Sequence, residues 1–295
     1  MRSNAALLAT LVALSAAVAS AQTLVQAPDP TSQPPTGPLP VPAEVVAPGP
    51  ARGAVQLPDP AAVHRGHDLY QRYCQSCHGG EGNGRGDSAD FLTTKPRDFT
   101  RGVFALRSTP SGTLPTDADL FRSIRNGVWG SGMPRWAGVS DGEIWDLVAY
   151  VESFSERFYA EARGAPVTIP AEPPRTADSI AAGKQVYVES GCASCHGSQG
   201  QGDGPSAPGL HDEWGYPIRP ASFVGGHWKA GNQPLDLYRD LMTGLDGTPM
   251  PSYAETLNSD QAWDLVHYLM TLSTKGGWRK GDSPGDRGQF DAKAP

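Results

Sequence analysis

Cysteine occurs four times in the 295 residues, always within one short motif. The two motifs comprise Cys74, Cys77 and His78, and then Cys192, Cys195 and His196. The pattern Cys-x-x-Cys-His is typical of c-type haem attachment, in which the two thiols form thioethers to the porphyrin. The adjacent histidine then supplies a nitrogen ligand to the iron. The sequence therefore predicts two covalently bound haem c groups, and the four cysteines are their attachment residues.

Three other uses of paired cysteines fit this sequence less well. A thioredoxin-type site is expected in a βαβ context, which the sequence does not show. A zinc ribbon has its cysteine pairs roughly 15–20 residues apart, whereas Cys77 and Cys192 are 115 positions apart. Disulfides are common in exported proteins, but they would leave the two following histidines as a coincidence. Haem attachment accounts for both histidines.

The haem motif is one part of an internal repeat with a period of about 118 residues. Before the motif, Gly66-x-x-x-Tyr70 returns as Gly183-x-x-x-Tyr187. After it, residues 119–122 match 236–239, residues 130–134 match 247–251, and residues 145–150 match 263–268. Because the order of the matches is kept, we predict two tandem copies of one domain, here called copy one and copy two.

The repeat and the composition together predict six segments. They are a signal peptide (1–21), a Pro-rich flexible tether (22–57), copy one (58–163), a linker (164–175), copy two (176–275) and a flexible tail (276–295). The tether is predicted because residues 22–60 contain 11 prolines and no aromatic residue. Such a segment buries too little apolar surface to offset the entropy of ordering it.

The N-terminus has the features of a secretory signal peptide. One arginine precedes an Ala-rich apolar run that begins at Ala5, and Ala19-Ser20-Ala21 is a cleavage site before Gln22. The alternative is an uncleaved anchor, and the run of 17 residues is at the short limit for crossing a bilayer. We therefore expect a periplasmic protein, which contacts the membrane only if this segment stays uncleaved.

The charge of the chain argues against nucleic acid as a partner. It has 24 Lys and Arg against 31 Asp and Glu, a formal net charge of −7. No basic run of the kind that follows a phosphate backbone is present. His64 and His67 have the spacing of a metal pair, but no third ligand is visible, and we interpret them as exposed helix residues.

Helix signals dominate both copies. Asp59-Pro60 begins a helix towards Tyr73, and capping boxes at 140–143 and 258–261 begin the last helix of each copy. Asp117 is a candidate cap for a helix that Gly127 ends. The apolar face predicted for the last helix of copy one comprises Ile144, Leu147, Val148 and Val151. No alternating run is long enough for a sheet, so the predicted fold class is all-α.

On these motifs, each copy resembles a class I cytochrome c domain, over about residues 60–157 and 177–273. In this family the first and last helices cross where a Gly and an aromatic residue meet a Leu-x-x-Tyr pair. The matching residues are Gly66, Tyr70, Leu147 and Tyr150 in copy one and Gly183, Tyr187, Leu265 and Tyr268 in copy two. The resemblance implies a small helical fold wrapped round one covalent haem.

The family's sixth iron ligand is a methionine downstream of the haem motif. Met133 follows His78 by 55 positions, and Met250 follows His196 by 54. In copy one, Met133 is the available ligand of the usual His or Met type. Copy two also contains His211, His227, His267, Met242 and Met270. Alignment of the repeat selects Met250; we interpret His267 as a helix-face residue and the other two methionines as core residues.

Two details depart from the family pattern. In the family, a Pro-x-Leu after the haem motif supplies a carbonyl to the proximal histidine. Residues 208–210 fit this pattern in copy two, whereas residues 90–92 do not in copy one. Both copies also have a longer segment before the methionine, where 96–99 matches 220–223. Three of its arginines, Arg97, Arg101 and Arg107, are either partners of the haem propionates or solvated surface charges.

A haem with His and Met ligands is coordinatively full, and methionine raises its reduction potential. We therefore predict an electron carrier without catalytic residues. Its partners would be a donor cytochrome or quinol-oxidising complex and an acceptor reductase or oxidase. One alternative is a dedicated subunit of a periplasmic oxidoreductase or terminal oxidase complex, because residues 95–120 look similar to cytochromes of such systems. A dihaem peroxidase fits less well, since it ordinarily has His where both copies have Met.

Overall fold

The computed structural model describes residues 54–226, 228–231 and 233–273. The predicted signal peptide and tail, and residues 22–53 of the predicted tether, lie outside the described residues. The helices are α1 (Pro60–Tyr73), α2 (Gln75–His78), α3 (Asp117–Asn126), α4 (Asp141–Glu152), α5 (Arg157–Ala160), α6 (Ala177–Glu189), α7 (Cys192–His196), α8 (Pro234–Thr243) and α9 (Ser259–Thr271). A turn of 3₁₀ helix spans Ala89–Phe91. The described residues form no strand beyond an isolated bridge between His211 and Pro217, so the all-α prediction is confirmed.

Three helices, α1, α4 and α9, begin at the predicted caps. The Asp59 carboxylate accepts hydrogen bonds from Ala61 N at 3.1 Å and Ala62 N at 3.3 Å, and α1 begins at the next residue. Capping boxes at 140–143 and 258–261 begin α4 and α9. Each box satisfies backbone N–H groups that have no partner inside the helix. These local signals set where both last helices begin.

The predicted cap of α3 was wrong by one residue. Thr116, not Asp117, is the cap, and its Oγ1 accepts from Asp119 N at 3.1 Å. The Asp119 carboxylate accepts in return from Thr116 N at 3.0 Å. This reciprocal pair satisfies two backbone donors, and Asp117 becomes the first residue of the helix. Gly127 ends α3 as predicted.

The first and last helices of each copy cross, α1 on α4 and α6 on α9. A glycine of the first helix lies against the backbone of the last: Gly66 against the Asp146 carbonyl and Gly183 against the Asp264 carbonyl. A Cβ atom at either glycine would overlap that carbonyl oxygen. The crossing therefore requires glycine because the two backbones approach so closely.

Each copy has its own apolar core. The predicted face of α4 is buried, with Ile144, Leu147, Val148 and Val151 exposed by 5% or less. In copy two, Met242 and Met270 are core residues as predicted. His267 lies in α9, as interpreted, on a face that is buried, and it is 1% exposed. None of the helices in the described ranges has the length and apolarity needed to cross a membrane.

Candidate haem-attachment sites

The four cysteines form no disulfide and lie at the junction between the first helix of each copy and the next short helix. Cys74 caps the end of α1, and Cys77 lies in α2. In copy two, both cysteines lie in α7. Burial raises the pKa of Cys74 to about 12 and also raises the pKa of Cys192. Both thiols are enclosed because each packs against the core of its own copy.

A tyrosine of the first helix holds the turn that follows each histidine. Tyr70 Oη donates to Gly79 O at 2.8 Å, and Tyr187 Oη donates to Gly197 O at 2.6 Å. Both glycines have φ of +80°, a left-handed conformation that favours glycine. The predicted Gly-x-x-x-Tyr pattern thus makes two contacts. The glycine allows the last helix to pack closely, and the tyrosine hydrogen-bonds to the residue that follows the haem motif.

Each histidine of the haem motif donates to a backbone carbonyl. His78 Nδ1 lies 3.1 Å from Arg97 O, and His196 Nδ1 lies 3.0 Å from Ala221 O. A carbonyl only accepts, so Nδ1 carries the proton and the Nε2 lone pair is available to a metal. Burial lowers the pKa of both imidazoles. The neutral, Nδ1-protonated form is the form that an iron ligand needs.

These two carbonyls correct the expectation drawn from the Pro-x-Leu pattern. The acceptors belong to the matching segments 96–99 and 220–223, and neither belongs to 208–210 or 90–92. The same segments also supply Phe99 and Phe223, whose rings stack on the histidines with centroids 4.4 and 4.7 Å apart. In each copy, one short segment therefore supplies both the carbonyl that accepts from the imidazole and the phenylalanine ring that stacks on it.

The two candidate methionines lie in turns of identical design. Val128 N donates to Met133 O at 3.1 Å, and Leu245 N donates to Met250 O at 3.0 Å. Inside each turn, a hydroxyl accepts from the methionine N–H, at 3.1 Å in copy one and 3.2 Å in copy two. Each methionine packs against the same core cluster as the first cysteine of its own copy.

The other candidate ligands of copy two lie in different surroundings. His211 is exposed, and its Nδ1 is 2.7 Å from Gly209 O. His267 Nδ1 is 2.9 Å from Ser179 Oγ, and its Nε2 is 3.3 Å from Glu172 in the linker. His227 lies outside the described residues. Among the residues that are described, no group of three or more His, Cys, Asp or Glu side chains is arranged to hold a metal ion.

The three arginines considered for haem propionates have different environments. Arg101 is exposed. Arg107 is fully buried, which excludes the interpretation as a surface charge, and its Nη2 donates to Thr243 O at 2.6 Å in copy two. The Arg97 guanidinium lies 4.3 Å from the ring centroid of Trp214, also in copy two. Two of the three arginines therefore connect the copies.

Sequence reasoning missed the partners of these arginines, Asp246 and Trp214. The sequence did contain a signal for these contacts, because the number of residues between matched positions differs between the two copies. Phe99 follows the second motif cysteine by 22 positions, but Phe223 follows its own by 28. In copy one, Asp119 of α3 follows Phe99 by 20 positions. In copy two, the matching Asp236 of α8 follows Phe223 by only 13.

The chemistry of these donors fits a covalently held haem. Each copy offers two thiols that form no disulfide, a neutral imidazole oriented by a carbonyl, and a methionine against the same core. A bound haem supplies a one-electron iron couple. The protein's own contribution is to orient the imidazole and to surround the site with apolar side chains.

Comparisons with known proteins agree with this assignment. A family model described as cytochrome c matches residues 180–273, and one described as cytochrome c oxidase, cbb3-type, subunit III matches residues 61–151. A chain of the Kuenenia stuttgartiensis reducing HAO-like protein complex is 43% identical, with a TM-score of 0.70. The match covers 71% of this chain and 96% of that chain. With this identity over nearly the whole relative, the chain belongs to the same family as that relative, and its two matched segments are cytochrome c-type domains, which bind covalent haem c.

Proposed function

We propose that this protein is a periplasmic dihaem cytochrome c, which carries single electrons between a respiratory donor and an acceptor enzyme. The observation that supports it best is that one site plan occurs twice. In each copy a tyrosine holds the haem motif, a carbonyl orients the histidine, and a hydrogen-bonded turn carries a methionine. Both sites share one design, and neither is changed in a way that would make room for a substrate. This similarity favours electron transfer.

The proposed axial ligands are His78 and Met133 in copy one, and His196 and Met250 in copy two. The proposed thioethers are formed by Cys74, Cys77, Cys192 and Cys195. An iron with two protein ligands has no vacant position for a substrate, so the protein would catalyse no substrate chemistry of its own. Burial of the two imidazoles keeps them neutral, and a neutral imidazole is the state that binds iron.

The ligand assignment is tested by Met133→His and Met250→His, each measured by spectroelectrochemistry. Each variant should lose one haem's share of the weak far-red band that accompanies Met–iron(III) coordination. The potential of that haem should fall, because imidazole favours ferric iron more than a thioether does. Each variant is the control for the other, since the second haem should keep its band. An unchanged band and unchanged potentials in both would contradict the assignment.

Carbon monoxide binding and peroxide turnover distinguish an electron carrier from a peroxidase. A carrier with two saturated irons should bind carbon monoxide poorly when reduced and should show negligible peroxide turnover as isolated. Fast carbon monoxide binding together with robust turnover by the native protein would overturn the carrier proposal. Activity seen only after partial reduction would show instead that one methionine is displaced.

A second candidate function is a dedicated electron-transfer subunit of a larger enzyme. Its support is that the 43% identical chain belongs to a protein complex and that copy one matches a family of oxidase subunits. The test is the native mass of the untagged protein purified from its own cells. A monomeric mass supports the carrier. A stable assembly with an oxidoreductase supports the subunit.

The periplasmic location is supported only by the N-terminal sequence. We propose cleavage after Ala21, so that the mature chain begins at Gln22. Intact mass of the protein from a periplasmic extract checks this. A mass that retains residues 1–21 in the membrane fraction would show instead that the segment is an anchor.

A further inference from the structure

One arginine of copy one lies between the two proposed haem sites. The Arg97 carbonyl accepts from His78 Nδ1 at 3.1 Å, so the backbone of this residue belongs to the histidine site of copy one. Its guanidinium reaches copy two, where it lies 4.3 Å from the ring centroid of Trp214. A Cβ atom at Gly247 would lie 2.8 Å from Arg97 Nη1 and 2.6 Å from the Trp214 ring. The guanidinium therefore lies against a residue that stands three positions before Met250.

The side chain of Arg97 has no counterpart in the other copy. Ala221 stands at the matching position, and its carbonyl accepts from His196 Nδ1 at 3.0 Å. Because an alanine supplies the same carbonyl, a long cationic side chain is not needed to orient an imidazole. The side-chain contacts that distinguish this position in copy one are those that it makes with copy two.

The guanidinium reaches the turn that carries the proposed iron ligand of copy two. Leu245 N donates to Met250 O at 3.0 Å and closes this turn. Gly247 lies inside the turn, and its carbonyl accepts from Glu213 N at 3.0 Å. That bond holds the next residue, Trp214, beside the turn, and the guanidinium lies over its ring in a favourable cation–π arrangement. A positive charge of copy one is thus held at the methionine turn of copy two.

The charge at this place is only partly compensated. An arginine is effectively always protonated in a protein. Burial lowers the pKa of Arg97, and the nearby carboxylates of Asp212, Glu213, Asp98 and Asp246 act in the opposite direction. Even so, its Nη1 atom is buried and has no hydrogen-bond partner among the described residues. A buried cation acts on neighbouring groups through a lower effective dielectric than a cation in water does.

The same charge also acts within copy one. Burial lowers the pKa of His78, and the positive charge of Arg97 lowers it further. The guanidinium is thus close enough to affect the histidine site of its own copy. The haem of copy one would therefore respond to Arg97 whether or not the guanidinium reaches the other domain. The haem of copy two is the one that tests the contact between the copies.

We propose that Arg97 of copy one raises the reduction potential of the haem in copy two. The inference rests on the proposed function, in which His196 and Met250 are the ligands of that haem. Ferric iron carries one more positive charge than ferrous iron, so a fixed cation nearby destabilises the ferric state and raises the potential. Trp214, whose ring lies under the guanidinium, is the positioning residue for this cation. The two copies are then linked, because a residue of one sets the driving force for electron transfer at the other.

The test is a redox titration of the fully haem-loaded Met133→His protein, followed by the far-red band. In this variant the band reports the haem of copy two alone. Adding Arg97→Gln should lower the potential of that haem and shift its electron-exchange equilibrium with a one-electron dye by about threefold or more. Adding Arg97→Lys, which keeps the charge, should give a smaller shift. Arg101→Gln removes an exposed arginine four positions further on. It is the matched control and should leave the potential unchanged.

The Met→His variants separate this inference from the proposed function. If Met133→His and Met250→His do not each remove part of the far-red band, the ligand assignment fails. If each does, but Arg97→Gln leaves the potential of copy two where Arg101→Gln leaves it, the inference about Arg97 is wrong. An equal fall in Arg97→Lys would also contradict it, because packing rather than charge would then be responsible. If Arg97→Gln does not fold, Trp214→Leu releases the guanidinium towards water and should still lower the potential. An unchanged potential in Trp214→Leu would overturn the inference.

Discussion

Copy one and copy two build the same site in different surroundings. The crossing glycine, the tyrosine behind the haem motif and the methionine turn are equivalent in both. One position of the turn differs: it is Trp129, which is 52% exposed, in copy one, and Asp246, whose carboxylate accepts hydrogen bonds from Arg107, Ser111 and Gly112, in copy two. The repeat has thus kept the residues that we propose hold a haem, whereas the segments of unequal length differ between the copies.

A second difference lies in the last helix. Copy one buries Glu152 there, 2.8 Å from Arg163, whereas copy two has the apolar Met270 at the matching position. Burial, together with the nearby Asp117 carboxylate, raises the pKa of Glu152 to about 8 despite the arginine. Copy one therefore contains a titratable group in its core that copy two lacks at this position.

The largest expected effect is the loss of one haem. Replacing Cys74 and Cys77 by serine should abolish covalent attachment in copy one only, because each motif lies in its own domain and contacts its own core. Intact mass after denaturation should fall by one haem. The converse double variant, at Cys192 and Cys195, is the control and should lose the other haem. Loss of both haems in either variant would show that the two sites form interdependently.

The next effect concerns the helix crossing. Gly66→Ala and Gly183→Ala should each destabilise the native state by about 2–3 kcal/mol, because the new methyl group overlaps a backbone carbonyl and the helices must separate. Guanidinium unfolding followed by haem absorbance measures this. Gly142→Ala in α4 is the control, since its Cβ would meet no atom within 4 Å. A loss of stability in Gly142→Ala as large as that in Gly66→Ala would contradict the packing argument.

A smaller effect is the pH dependence that Glu152 gives to copy one. Its folded pKa of about 8 lies above the ordinary 4.5, so folding favours the protonated carboxyl. This contribution to stability is fully present below about pH 4.5 and is lost as the pH rises through 8. Melting temperatures between pH 5 and 9 should fall less steeply in Glu152→Gln than in the native protein. Exposed Glu156→Gln is the control, and an equally steep fall in both variants would disprove the role of Glu152.

The smallest effect is expected at an exposed ion pair that only copy one has. Arg65 donates to the Asp146 carboxylate across the α1–α4 crossing, and Ala182 stands in its place in copy two. The Arg65 side chain is 57% exposed, and water and salt weaken such pairs. Arg65→Ala should lower the melting temperature slightly at low salt and not at high salt. A fall as large as that of Gly66→Ala would mean that the pair, rather than the glycine, maintains the crossing.

The sequence was sufficient to predict features formed by residues close together in the chain, and features that occur in both copies of the repeat. The haem motif occupies five consecutive residues, and the capping boxes at 140–143 and 258–261 join residues three apart. The repeat then aligned the two copies. At Thr116 and Asp117, two adjacent candidates competed for one cap, and the reciprocal bonds with Asp119 decided between them.

The tertiary structure decided which distant groups meet. The acceptors of the two histidines lie 19 and 25 positions downstream, at places that depend on how each loop returns to the haem motif. Arg107 and Asp246 are 139 positions apart, and the segment that carries Arg107 has no equal in the other copy. Repeat alignment cannot find a contact made by residues that break the repeat. The sequence by itself thus determined two haem-binding domains of one design, and only the packing of one domain on the other decided that Asp246, four positions before Met250, contacts copy one.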